Sequence, residues 1–215
     1  VDQGKIQADK SRGGHRRIAL QEAIRFIRAS QTPVVHGEFL GFPELNTVLE
    51  DVPNLSLQEA GDVLFSYLVR GKAEHARGLL LYYYLRGYGV AALLDEPVRA
   101  AMAQAGTLWK HEDTGIYYEH QATQICIQAI HFMEALLPVG QSRFLALGGA
   151  PPGDPYMIPS LGASCVLKEE GLQTINFGPN LPFDSLARAV EEFEPKLVWL
   201  SISAKPKPRD VAAGV

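Results

Sequence analysis

The spacing of apolar positions divides the chain into stretches with different periods. Leu20, Ile24 and Ile27 recur at helical spacing and predict a helix with one apolar face from about residue 20. Before it, the polar Gly13-Gly14 pair between two short segments predicts a tight hairpin. Residues 31–54 carry Pro33, Gly37, Gly41, Pro43 and Pro53 and show no sustained period, which is the pattern of a linker. Residues 55–137 read as helical throughout. Leu57, Gly61, Leu64 and Leu68 form one face, behind Ser56 as N-cap with Glu59 three residues on. A second helix spans 72–88 and ends at glycines. A third spans 96–108, with Pro97 in its first turn, and a fourth spans 116–136 before Pro138. Four helices with short loops predict a bundle.

From residue 142 the period changes. Phe144–Leu147, Leu172–Phe177 and Leu197–Ile202 read as strands, and Ile158–Glu170 and Phe183–Phe193 as helices between them. That βαβαβ order predicts a parallel, doubly wound, Rossmann-like (flavodoxin-like) sheet. Such a sheet binds ligands at the carboxyl ends of its strands, here Gly148-Gly149-Ala150, Phe177-Gly178-Pro179 and Ser201-Ile202-Ser203. The expected fold class is therefore multi-part, α and α/β, incomplete at both ends. Its parts are a head at 1–30, a linker at 31–54, a bundle at 55–138 and the sheet domain at 142–215.

Composition narrows the function classes. At 47% hydrophobic and 20% charged residues the chain is globular and not disordered. No apolar run approaches the roughly 18 residues of a membrane span. Two cysteines, Cys126 and Cys165, make no disulfide framework and point to a reducing, cytoplasmic setting; both read as core. The net charge of −4 hides an asymmetry. Residues 1–28 carry seven bases against three acids, so the head is +4 and the remainder −8. A basic head on an acidic body predicts a local contact with a polyanion. Glu169-Glu170 and Glu191-Glu192 read as helix surface. Gly148 to Gly153 lacks the spacing and the lysine of a phosphate loop. Tyr82-Tyr83-Tyr84, Tyr88 and Tyr117-Tyr118 read as partly buried core, or as walls for a flat ring system.

Three motifs carry resemblances. Gly13-Gly14-His15-Arg16-Arg17, with the residues before it, resembles the wing and following helix of MerR-type and excisionase-like winged-helix domains. The resemblance implies DNA binding through Lys10, Arg12, His15, Arg16 and Arg17, with the recognition helix ahead of this chain. Trp109, nine residues, then Glu119-His120 resembles the bundle signature of cobalamin-responsive transcriptional regulators such as the repressors of bacterial carotenoid genes. In that family the bundle caps the sheet domain, and these side chains sit over the upper face of the corrin. The family's sheet motif is Asp-x-His-x-x-Gly, followed 41 residues later by Ser-x-Leu, with the histidine as lower cobalt ligand. Here it reads Asp154, Tyr156 and Pro159, then 41 residues, then Ser201 and Ser203. Aspartate, serine and spacing are kept, while the imidazole is replaced by a phenol, a poorer ligand for cobalt.

The resemblance therefore leaves three ligand readings open. One is cobalamin without a histidine beneath the metal, held by Trp109, Glu119, His120, Asp154, Tyr156, Ser201 and Ser203. Another is a haem or bilin with His111 or His120 as metal ligand, His131 being expected to pack. The last is a ligand-free module. The function expected is a non-enzymatic, homo-oligomeric DNA-binding regulator that senses a corrinoid. Its rivals are a corrinoid carrier of a methyltransferase system and a pure dimerisation module.

Overall fold

In the hairpin, strands β1 (Asp9–Lys10) and β2 (Arg16–Arg17) pair antiparallel, with Asp9 opposite Arg17 and Lys10 opposite Arg16. The structure, a computed structural model, describes residues 6–49, 52, 55–108, 115–138 and 142–203. The chain forms two compact units, Val1–Leu136 and Leu137–Val215.

The first unit starts from that hairpin. Its tip turns on Gly14, whose φ of 78° suits glycine, and the Ser11 and His15 backbones close it. Helix α1 (Leu20–Ser30) follows, burying Ile24 and Ile27 as the period requires. The Glu22 carboxylate accepts hydrogen bonds from the Arg25 guanidinium and the Gln7 amide, and these hold its pKa down to about 2. The contact is fully present above the ordinary carboxylate value of 4.5 and is lost as pH falls through about 2. An NMR titration of the Gln7 amide should show that low midpoint; a midpoint near 4.5 would mean that the hairpin is not tied to α1. Arg28 docks α1 on the bundle. Its guanidinium donates to the carbonyls of Tyr84 and Tyr88 and lies 3.8 Å from the Tyr84 ring centroid.

Within the 31–54 segment read as a linker, residues 37–49 form packed turns. Two 3-10 turns, Gly37–Leu40 and Pro43–Thr47, bury Leu45, and Phe42 and Val48 are buried beside them. They seat on α3 (Ala73–Leu85) because Gly78 has no side chain: a Cβ there would lie 2.2 Å from the Glu44 carbonyl oxygen. Arg77 and Glu44 pair at 3.3 Å across the same contact.

Helix α2 (Ala60–Val69) is preceded by the expected capping box. The Ser56 hydroxyl accepts the Glu59 amide, and the Glu59 carboxylate accepts both the hydroxyl and the amide of Ser56, holding its pKa below the usual range. Leu57, Gly61, Leu64 and Leu68 are buried together. Helix α3 is buried from Gly78 to Leu85 on all sides, so it is the central helix and Tyr82, Tyr83 and Tyr84 are core.

The third helix corrects its expected start. It begins at α4 (Val90–Leu93), passes through a π turn (Leu94–Val98) and continues as α5 (Arg99–Ala105). Pro97 therefore lies inside the helix. The wider turn accommodates a residue that has no N–H and crowds the preceding carbonyl. Helix α6 (Gly115–Leu136) buries Ala122, Ile125, Cys126, Ala129, Ile130 and Met133, spaced at three and four residues. Burial pushes the Cys126 thiol up to about 12.

The second unit is a parallel sheet of order β4-β3-β5: β3 (Leu145–Gly149), β4 (Gln173–Asn176) and β5 (Leu197–Leu200). Helix α7 (Ile158–Glu169) joins β3 to β4, and α8 (Phe183–Phe193) joins β4 to β5. Leu147 packs against Leu186 and Ala189 of α8. Its neighbour Gly148 faces the other side, where Trp199 of β5 hydrogen-bonds Ser160 of α7. The helices therefore cover opposite faces, the doubly wound arrangement that the βαβαβ order predicts. Among the described residues no helix is long and apolar enough to cross a membrane.

Candidate functional site

The carboxyl ends of β3, β4 and β5 meet in one network of backbone bonds. The amides of Phe177 and Ser201 donate to the carbonyls of Gly148 and Gly149, and the amides of Ala150 and Leu181 donate to those of Gly178 and Ala150. Gly149 permits this closeness, since a Cβ there would sit 2.7 Å from the Gly178 oxygen.

Asp154 organises the loop above these ends. It is 2% exposed. One carboxylate oxygen accepts the Tyr156 amide at 3.0 Å and the other accepts the Ser203 amide at 2.5 Å. The Asp154 carbonyl also accepts the amide of Asn180, whose side chain takes the Gly153 amide. Asp154 and the Ser203 backbone thus bind each other. Ser201 is half-buried beneath them. Tyr156 is 56% exposed, with Met157 beside it, so its phenol is presented at the surface of this edge.

Beside these strands runs a half-buried polar seam, anchored on the buried Ser160 and Ser164, that the sequence reading did not single out. The Trp199 indole N–H donates to the Ser160 hydroxyl at 3.2 Å, and Ser160 donates to the Asn176 side-chain oxygen at 2.8 Å. Asn176 also accepts the Gly178 amide, and Ser164 bonds Thr174 one turn further along α7. The one available signal was Gly148, because glycine inside a strand often marks close approach of another group.

In the helical unit, Glu119 accepts a hydrogen bond from the Thr123 hydroxyl at 2.9 Å, and the His120 Nε2 lies 3.9 Å from the other Glu119 oxygen. The His120 side chain is 74% exposed. Tyr117 and Tyr118 are exposed just before them, their rings 4.3 Å apart, and do not belong to the core. Trp109 and His111 lie outside the described residues. His131 departs from its expected packing: its ring is on the surface and meets Glu134 at 3.1 Å.

In the hairpin, Lys10, Arg12, His15, Arg16 and Arg17 are all exposed. Lys10 stands directly opposite Arg16, a like-charge pairing that costs stability and concentrates positive charge on one face of the hairpin.

The donor set can be tested against the cobalt-bearing group that the resemblance implies. The six histidines lie at 15, 36, 75, 111, 120 and 131, so residues 137–215 contain none. Among the described residues no cluster of three or more His, Cys, Asp or Glu is placed to hold a metal ion. The sheet unit therefore does not fit a histidine-ligated cobalt. It does offer a glycine-lined strand edge, open beside Gly153 and Gly178, where added Cβ atoms would meet nothing within 4 Å.

No protein-family model and no curated protein matches the chain. Among solved structures it is similar to the monomethylamine corrinoid protein of Methanosarcina barkeri, at 16% identity and a TM-score of 0.52 over 74% of each chain. That likeness is one of fold. Looser matches are the methanol:cobalamin methyltransferase complex of the same organism (14% identity, TM-score 0.32, covering 82% of this chain and 69% of that chain) and a cobalamin-binding protein of Desulfitobacterium hafniense (12%, 0.28, 67% and 69%).

Proposed function

We propose that this chain binds a corrinoid, with the carboxyl edge of the sheet unit as the protein's contact to it. The observation that carries the reading is the fold: a helical unit followed by a doubly wound parallel sheet, similar to a corrinoid protein. The bound group would supply an organometallic cobalt centre. The residues of the sheet unit supply shape and hydrogen bonds: the locked loop at Asp154 and the exposed Tyr156. The chain then acts as a binding component in the cytoplasm and not as an enzyme by itself. A role as a carrier in a methyltransferase system has the fold likeness behind it. Titration of the protein with aquocobalamin and with cobinamide, followed by gel filtration, tests the reading. Co-elution of pigment and protein is expected. If neither pigment is retained, the ligand-free dimerisation reading takes its place.

A second reading, a DNA-binding regulator that uses the same module as a sensor, is favoured by the exposed basic hairpin. A carrier has no use for Lys10 held against Arg16. On this reading the protein acts as a homo-oligomer on DNA. Neutralising Arg16 and Arg17 to glutamine should weaken binding on every sequence and flatten the slope of log K against log salt by about 2, two phosphate contacts' worth. Fluorescence anisotropy on duplex DNA at several salt concentrations measures this. An unchanged slope would remove the wing assignment.

A further inference from the structure

Where the chain leaves α1 and crosses the end of α3, the helical unit holds a cavity of about 390 Å³. Two local features put the chain there. Gln31 ends α1 with a left-handed φ of 52°, and its side-chain amide donates back to the Arg28 carbonyl at 2.7 Å. Gly87, just past α3, lets this turn come close, since a Cβ there would lie 2.8 Å from the Gln31 Nε2. Pro33 and Val34 from the chain after α1, Leu45 and Leu49 from the packed turns, and Leu85 of α3 line the cavity with apolar surface. All the lining residues belong to the helical unit, so the cavity is no part of the strand edge described above.

Tyr82 and Arg86, one turn apart, complete the lining. Tyr82 is 9% exposed, and its hydroxyl accepts a hydrogen bond from the Arg86 Nη1 at 3.2 Å. The phenol oxygen is the acceptor in that bond, so its own proton remains to donate. Arg86 spends one of its five N–H groups on Tyr82 and keeps its full charge. Among the described residues that line the cavity none is Asp or Glu. Its other polar side chains are already paired, Gln31 with the Arg28 carbonyl and Thr32 with the Ser30 hydroxyl. We propose that the cavity binds a small monocarboxylate with a compact apolar body. Arg86 and the Tyr82 hydroxyl hold the carboxylate, and the leucines, Val34 and Pro33 hold the body. The volume is near the lower end of the about 300–1,000 Å³ of ligand pockets, which limits the body to one ring or a short chain. Such a ligand touches the chain leaving α1 and the end of α3 together. It therefore reinforces the docking that Arg28 makes on the Tyr84 and Tyr88 carbonyls. The site stands apart from the corrinoid reading and does not depend on it.

The test titrates the full chain with phenylacetate and with hexanoate, each beside its neutral primary amide, and follows the backbone amides by two-dimensional NMR. At least one acid should give saturable shifts at Val34, Leu45, Leu85 and Gly87. A Kd of about 10 mM or tighter is within reach of a ligand of about ten non-hydrogen atoms. That acid should bind wild type at least about tenfold more tightly than its amide, a comparison that needs no variant. Arg86 is exposed at the end of α3, so Arg86→Gln should fold. It should weaken the acid at least about tenfold and leave the amide unchanged. Tyr82→Phe, which removes one neutral donor, should weaken the acid by about twofold to tenfold. Val34→Trp fills the cavity and should abolish the binding of both. Neither acid giving saturable shifts at these amides would overturn the site. So would an acid and its amide binding wild type alike, or an acid whose affinity survives Val34→Trp.

Discussion

Asp154→Ala should destabilise the sheet unit by about 3–6 kcal/mol, because it removes two bonds to a charged acceptor at about 1.5–3 kcal/mol each. The carboxylate is 2% exposed and joins the amides of Tyr156 and Ser203, which belong to the loop after β3 and the segment after β5. Without it both amides, which belong to exposed residues, lose the acceptor that ties the two segments together. A loss of that size is a large fraction of the 5–15 kcal/mol typical of a whole domain. Asp154→Asn keeps one oxygen acceptor and turns an NH2 towards the other amide, so its cost should fall between wild type and alanine. Urea unfolding of the three proteins measures the series. A cost below about 1 kcal/mol for alanine would show that the loop is held by other contacts. The same variants should lose affinity for corrinoids together with stability, since the loop that presents Tyr156 is then no longer fixed.

Local periodicity reached far into this fold. Helix α8 runs over the residues that its pattern marks, because Leu186 and Ala189 fall on one face and the flanking Pro182 and Gly178 punctuate it. The hairpin was legible from Gly13-Gly14, and the capping box from Ser56 and Glu59, since both are set within a few residues of chain. What was not legible depends on partners distant in sequence. Residues 37–49 read as part of a linker because their docking surface, the bare backbone of Gly78, lies far along the chain and carries no pattern of its own. Asp154 matched a ligand-binding motif, yet its carboxylate serves the Ser203 amide, 49 residues away. Pro97 was read as the start of a helix by a rule of local preference, and tertiary packing carried the helix through it as a π turn. Gly148 announced a close approach without naming Trp199, because the register between β3 and β5 is fixed only once the sheet forms.

Tyr156→His should create a nitrogen-ligated corrinoid where wild type has none. The substitution returns an imidazole to the position that the cobalamin-binding motif reserves for one, in a unit that otherwise has no histidine between residues 137 and 215. The backbone at 156 is already fixed, since its amide is held by Asp154 and the side chain stands 56% exposed at the strand edge. Pro155 and Pro159 narrow the conformations of the loop on either side, so the new imidazole samples few directions. Cobinamide is the appropriate probe, because it brings no base of its own to compete for the metal. Wild type with cobinamide should give a visible spectrum without imidazole ligation. Tyr156→His should give the ligated spectrum at neutral pH and lose it in acid, where a proton takes the nitrogen. His111→Ala and His120→Ala controls exclude the helical unit as the source. If wild type already shows a histidine-ligated cobalt that disappears in one of those controls, the protein draws its ligand from the helical unit. Tyr156 would then not be the position that decides the metal bond.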